Sequence, residues 1–469
     1  MVKIVVKKIF FKILVFFFFS SYLAANYSPA WAFNNKIGIH ILEPHDLNKA
    51  AQLVNSSGGD WGYATIVIRE DDLDHGKWQK FFDDCRQQHL IPIVRLATRM
   101  LPSGFWAKPQ LNELAKWPQF LNSLNWPVKQ QIVIIFNEPN HSQEWGGEIN
   151  PQEYALVLNQ MINLLKAVNE NFFILPAGLD QAASRTKNTL DEVSFLQAMA
   201  KTVPGIFDKL DGWSSHSYPN HGFVGLPVDK GKATIQGYEW ELAILKQLGL
   251  KKELPVYITE TGWPHQEGVS PNSQFYQSEK VALFLEKAFK VWQENDQVQA
   301  ITPFVLNYPL PPFDHFSWLR DDKTHYSQFD QVLGISKSKA EPEQVQNYQV
   351  VKVNLIDILP TNYSYSGEIV IKNTGQWIMG ERENFLLEPE QTEPKLQISE
   401  LKLPQGKFVL PGEETALNFT LKTGSQSAEY HLKLGNNEYK IYVFKPWDLF
   451  QRITSFFSQV KRAPREQPW

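Results

Sequence analysis

The chain has a single cysteine, Cys85, in 469 residues, so no disulfide can form within it and stability must come from core burial. It also has no basic block in its body. Lys and Arg total 46 against 50 Asp and Glu, for a net charge of −4. That balance argues against a nucleic-acid partner, which would need a positive footprint to neutralise phosphates. Neither G-x-G-x-x-G nor a P-loop is present, which removes the usual phosphate-binding turns. No G-x-S-x-G occurs, which disfavours a Ser–His–Asp hydrolase. His40, His216 and His221 invite a metal reading, but H-E-x-x-H and close Cys/His spacings are missing, so neither a metal nor a cofactor is expected. No repeat of solenoid period is visible.

What the chain does have begins with its first 32 residues. Lys3, Lys7, Lys8 and Lys12 precede an apolar run, Ile13 to Phe19, and Ala30-Trp31-Ala32 offers a small-x-small cleavage site. The stretch from Ile9 to Ala25 is short for a membrane span and is interrupted by Lys12. We read 1–32 as a signal peptide, with an uncleaved anchor as the alternative, and the body as secreted. Aromatic residues make up 13% of the chain, with 15 Trp, enough for sugar-stacking faces as well as core.

From Lys36 to Pro309, apolar runs of five to nine residues alternate with amphipathic segments. Continuous apolar runs mark parallel strands covered by helices on the outer face. Eight such runs are visible, at Ile37–Ile41, Thr65–Arg69, Ile91–Leu96, Ile132–Glu138, Phe172–Ala177, Leu210–Ser217, Val256–Thr261 and Ala300–Asn307. Their number and spacing predict an α/β fold, a (β/α)8 TIM barrel over 34–336. A polar stretch, 337–348, reads as a linker. Short strand-like runs over 349–445, separated by Asn373-Thr374-Gly375, Pro411-Gly412 and Gly435-Asn436-Asn437, predict a small C-terminal β-sandwich. The tail 446–469 spaces Trp447, Phe450, Ile453, Phe456, Phe457 and Val460 as an amphipathic helix, which either docks on its own protein or lies in a membrane interface.

In a TIM barrel the active site lies at the C-terminal ends of the strands. Strand four ends Asn137-Glu138-Pro139 and strand seven ends Thr259-Glu260-Thr261, so each delivers a carboxylate to the barrel mouth. Two carboxylates facing each other there could flank one glycosidic bond, one donating a proton and the other meeting the oxocarbenium-like centre. A lone glutamate at such a place is more often a helix cap or a surface ion pair. Two on opposed strands argue for chemistry.

Asn137-Glu138-Pro139 on strand four with Glu260 on strand seven resembles clan A of the glycoside hydrolases, retaining (β/α)8 enzymes. The resemblance implies that Glu138 is the acid/base and Glu260 the nucleophile. It also implies that Asn137 bonds the sugar 2-hydroxyl, that Tyr218 of Ser215-His216-Ser217-Tyr218 holds the nucleophile, and that His216 lines the substrate site. Arg69, ending strand two, stands where a clan arginine contacts the nucleophile; Arg95 on strand three competes for that role. The sequence departs from the cellulase-like pattern at strand eight, where a tryptophan is usual. Tyr308 or Trp318 could supply the sugar platform there, with Trp263 and Trp145 as further candidates. The run Glu368 to Gly375 and Val409 to Glu414 resemble immunoglobulin-like accessory modules of exported proteins.

The resulting expectation is a monomeric glycoside hydrolase with a carbohydrate substrate, no nucleic-acid partner, and membrane or cell-surface association through either end left open. A barrel that only binds glycans and a transglycosylase using the same site are the alternatives.

Overall fold

The computed structural model describes residues 34–455, apart from 382–384, 436, 449 and 452–453. The signal-peptide reading of 1–32 falls outside these residues. The chain divides into two compact units. The first comprises the chain up to Leu73, Gln88–Phe120 and Ile132–Glu341; the second comprises Asp74–Gln87, Leu121–Gln131 and everything from Pro342 onward.

The first unit is an alternating α/β core. Its strands are β1 (Gly38–His40), β2 (Gly62–Arg69), β3 (Leu90–Ala97), β4 (Gln131–Ile135), β5 (Phe172–Pro176), β6 (Trp213–His216), β7 (Val256–Glu260) and β8 (Val298–Ile301). They form two sheets, β1-β2-β3-β4-β5 and β6-β7-β8, whose paired neighbours run parallel. Every residue of β4 and of β7 is buried, as expected of apolar runs screened on both faces. Backbone bonds also link the two sheets. On one side Ile301 N donates to Lys36 O at 2.8 Å and Leu306 N to His40 O at 2.9 Å. On the other, Asp211 N donates to Ile174 O at 3.1 Å, and Asp180 bridges to His216.

Several strands stop short of the predicted runs, and the reason is local. After Ile135 the chain turns through Phe136 (φ 70°) and Glu138 (φ 28°), conformations L-residues seldom adopt. The ladder ends there, and Glu138 N donates instead to Gly178 O at 3.1 Å. Glu138 therefore sits on a non-ladder extension of β4, whereas Glu260 is the last ladder residue of β7.

The second unit is built around two four-stranded sheets that are antiparallel apart from one edge pairing, with a short two-stranded ladder beside them. In the strand Glu414–Lys422, Thr415, Leu417, Phe419 and Leu421 alternate inward against Ile369, Ile371, Leu432 and Ile441. The same unit includes the helix His75–Gln87. Arg86 on that helix is buried, and its Nε donates to Gln376 O at 2.5 Å. Its Nη2 donates to Asn125 O at 2.9 Å. The polar stretch read as a linker is tied along its length. Ala340 N donates to Asp60 O at 3.1 Å, and Lys129 N to Glu343 O at 2.8 Å. At the start of the tail, Trp447 and Phe450 are exposed and their ring centroids lie 5.8 Å apart. The rest of the tail pattern falls mostly outside the described residues. Among those described, no helix is long and apolar enough to cross a membrane.

Candidate active site

Glu260 ends β7 with only 9% of its surface exposed. Arg95 Nη1 donates to its Oε1 at 2.5 Å, and Tyr218 OH donates to Oε2 at 3.2 Å. Burial works against the charge on this carboxylate. His216 and Arg95 outweigh it, with smaller help from Tyr218, and hold Glu260 below the usual carboxylate range. Tyr218 is pushed the other way by burial and by the neighbouring carboxylates, so its phenol stays protonated and remains a donor.

Glu138 lies on the β4 extension and is half-buried. His216 Nδ1 sits 2.7 Å from Glu138 Oε1 and 3.8 Å from Glu260 Oε2, so one imidazole stands between the two carboxylates. Burial favours its neutral form, but Glu260 and the bond to Glu138 prevail and raise its pKa. The ring packs so closely on β5 that a Cβ at Gly178 would lie 2.2 Å from His216 Cδ2, which is why glycine occupies that position. Asn137 Oδ1 accepts from Arg95 at 2.6 Å, so this guanidinium joins Glu260 to the strand-four motif.

Donor atoms of Glu138, His216 and Glu260 lie within 4.8 Å of one another, a spacing that could also chelate a cation. The Arg95 guanidinium already neutralises the same carboxylate, and a positive neighbour at 2.5 Å opposes a metal there.

Two expectations need correction. Arg69 does not reach Glu260: its Nε pairs with Asp71 Oδ1 at 3.0 Å near the surface. In the β2–β3 register Arg69 lies opposite Ala97, two residues beyond Arg95, hence about 6–7 Å farther along the strands. Arg95 takes the role. Trp263 is not open to a sugar either. It is buried, its Nε1 donates to Gly225 O at 2.8 Å, and its ring meets Phe284. Trp145 and Trp318 are buried as well. Tyr308 is half-buried, with its ring 6.5 Å from Phe304 and 5.4 Å from Phe313.

Three groups escaped the sequence reading. Phe304, half-buried beyond the end of β8, brings an aromatic ring beside His40. Glu144, six residues after Glu138, is raised to about 7 by burial and by Glu138, so it titrates near neutrality. His141 bonds Asp180 at 2.8 Å on the same side of the site. Only Phe304 left a signal, as an aromatic inside the apolar run of strand eight.

Residues 105–314 match the family described as Glycosyl hydrolase catalytic core, a span that contains Asn137, Glu138, His216, Tyr218 and Glu260. The protein is a glycoside hydrolase. The matched span begins after β3, so His40, Arg69 and Arg95 lie outside it. Among solved structures, a family 39 glycoside hydrolase from the gut symbiont Bacteroides cellulosilyticus WH2 is 16% identical. It covers 84% of this chain and 81% of its own, with a TM-score of 0.44. An FMN-binding beta-glucuronidase from Facaelibacterium prausnitzii L2-6 is 11% identical over 88% of this chain and 56% of its own, at a TM-score of 0.43. A GH128 (subgroup II) endo-beta-1,3-glucanase from Sorangium cellulosum is 13% identical over 65% of this chain and 99% of its own, also at 0.43. Likenesses of this size carry nothing about the linkage this hydrolase cleaves. No curated protein sequence matches the chain.

A second pair of carboxyls lies away from the reaction. Glu192 and Glu241 are both fully buried, and Ser215 Oγ, next to His216 in sequence, donates to Glu241. Burial raises both groups above the ordinary value of 4.5, and for Glu192 the neighbouring Glu241 adds to the rise. The folded chain therefore keeps protons that the unfolded chain releases. Stability from this pair is full below about pH 4.5 and is lost as pH rises through the raised folded values. The Tm of the wild-type protein is expected to fall on the alkaline side, and Glu192→Gln to flatten that fall. Equal slopes in thermal melts across pH would show that burial does not raise these carboxyls.

Proposed function

We propose that this glycoside hydrolase is a retaining enzyme that cleaves β-linked polysaccharide or oligosaccharide by double displacement. In this reading Glu260 attacks the anomeric carbon while Glu138 delivers a proton to the departing oxygen. Glu138 then takes a proton from water as it opens the glycosyl–enzyme ester. The carrying observation is separation: an oxygen of Glu138 and an oxygen of Glu260 lie within 4.8 Å. Retaining pairs stand about 5–5.5 Å apart, whereas inverting pairs leave roughly 6.5–9.5 Å for a water. The unequal surroundings favour the same division of labour. Arg95 and Tyr218 both stabilise charge on Glu260, whereas Glu138 shares its hydrogen bond with an imidazole that can carry a proton.

The two parallel sheets are proposed to close as a (β/α)8 barrel over 34–336, supported by the backbone bonds that join β8 to β1 and β5 to β6. The sandwich over 349–445 is proposed as an immunoglobulin-like accessory module, and the enzyme as an exported one, on the strength of its first 32 residues. Asn137 would meet the sugar 2-hydroxyl, with Phe304 and Tyr308 as the apolar wall of the subsite.

The test is stereochemical. Proton NMR of the first product formed from an aryl β-glycoside that the enzyme accepts should show the β-anomer. A 2-deoxy-2-fluoro glycoside should leave a covalent sugar on Glu260, located by peptide mass. An α-anomer as first product would overturn retention.

A further inference from the structure

We propose that His40 is a positioning residue for Glu260, a neutral donor whose Nε2–H is aimed at the carboxylate oxygen that Arg95 also holds. The proposal rests on Glu260 being the nucleophile.

His40 ends β1, and its backbone is fixed on both sides. His40 N donates to Pro303 O at 3.0 Å, and Leu306 N donates to His40 O at 2.9 Å. The side chain is fully buried, yet neither Nδ1 nor Nε2 has a hydrogen-bond partner among the described residues. The Ile41 carbonyl comes near the ring without reaching hydrogen-bond geometry. Buried imidazoles normally satisfy at least one nitrogen, because an unmade bond keeps the whole desolvation cost.

What the ring does face is Glu260, with Nε2 at 3.9 Å from Oε1. Phe304 packs against the ring, its centroid 5.3 Å away at a steep angle. A carboxylate only accepts, so its field favours the tautomer with the proton on Nε2. Burial and the Arg95 charge push the imidazole down to about 3, so it presents a dipole and no second cation. A contact about 1 Å longer than a hydrogen bond is common in catalytic sites without substrate and tightens when a ligand is bound. The other groups facing Glu260 are Arg95 from β3, and His216 with Tyr218 from β6 and its extension; Glu138 stands behind His216, and Glu144, past the β4 extension, is a further carboxyl that feels the Glu260 charge. His40 is the contribution of β1 to that ring. Its effect would be to spread the carboxylate charge, keeping Glu260 ionised at lower pH and making it a better leaving group in the second step.

The experiment compares His40→Leu, which removes the donor, with His40→Gln, which keeps one, on an aryl glycoside across pH. His40→Leu should move the acid limb of kcat/KM upward by about half to one pH unit. It should also lower kcat more than it changes KM, and His40→Gln should return the limb toward wild type. A packing role alone would lower Tm and the amplitude of both variants while leaving the limb in place, and that result overturns the proposal. If His40→Leu does not fold, 15N NMR of the His40 imidazole decides. The Nε2–H tautomer, with a resonance that shifts in Glu260→Gln, is expected; an Nδ1–H tautomer, or a resonance indifferent to that change, overturns it. Should Glu260→Gln keep wild-type activity, the nucleophile assignment itself fails, an outcome distinct from an unmoved limb in an enzyme that Glu260→Gln inactivates.

Discussion

Glu260→Gln is expected to abolish turnover, with kcat falling by roughly four orders of magnitude or more, while the protein still folds and binds the sugar. The amide has the shape of the carboxylate but cannot form the glycosyl ester. Its one oxygen can still accept from Arg95 and its NH2 can donate to the Tyr218 hydroxyl oxygen, the two groups that now meet the carboxylate at 2.5 Å and 3.2 Å, so the pocket should persist. Binding measured by calorimetry on an oligosaccharide that the wild type cleaves should therefore stay within a few-fold of wild type. Loss of binding together with activity would mean that the substitution had collapsed the pocket. Activity near wild type would remove Glu260 from the mechanism.

Glu138→Ala should behave differently. A natural substrate, whose leaving oxygen needs a proton, should slow by about 10²–10⁴. An aryl glycoside with an acidic leaving group needs no proton, so it should still form the glycosyl–enzyme ester quickly. The ester should then persist, because no base is left to activate water. A burst of released phenol followed by a slow steady state is the expected trace. Azide, which needs no base, should accelerate the steady state and yield a β-glycosyl azide. His216 loses its partner at 2.7 Å in this variant, so part of the loss on natural substrates will come from a displaced imidazole. The azide response separates the two contributions, since a misplaced His216 would not be repaired by it. No azide product with any accepted substrate would argue that Glu138 is not the acid/base.

Much of the site was legible because it is written locally. Glu138 and Glu260 follow fully buried apolar strands, and a polar residue that ends such a run emerges at the strand's C-terminal edge whatever its neighbours do. Tyr218, two residues beyond His216, was assigned to Glu260 through the resemblance of Ser215-His216-Ser217-Tyr218 to the clan pattern, and its hydroxyl meets Glu260 at 3.2 Å. The arginine was harder. Arg69 and Arg95 both stand near the ends of apolar strands, and choosing between them needs the stagger of β2 against β3, which no single segment contains. The aromatic residues misled for a related reason: Trp263 looks like a platform in sequence, but a bond from its indole to Gly225 turns the ring into the packing beneath the loops.

The sequence alone determined the alternation of strand and helix, the two carboxylates at strand ends, and the change near residue 340 to short strands with period-two burial. These follow from periodicity and from breakers within a few residues of one another, so the chain carries them before it folds. Tertiary structure alone decided that Arg95 and not Arg69 grips Glu260, and that His216 stands between the two glutamates. It also decided that Glu144 is raised to about 7, and that His40 is buried with no hydrogen-bond partner among the described residues and the Glu260 carboxylate 3.9 Å away. Each of these depends on distances between strands far apart in sequence and on the water that their packing removes. Register, rotamer and desolvation are set only when the sheets assemble, and they give two well-placed glutamates unequal surroundings.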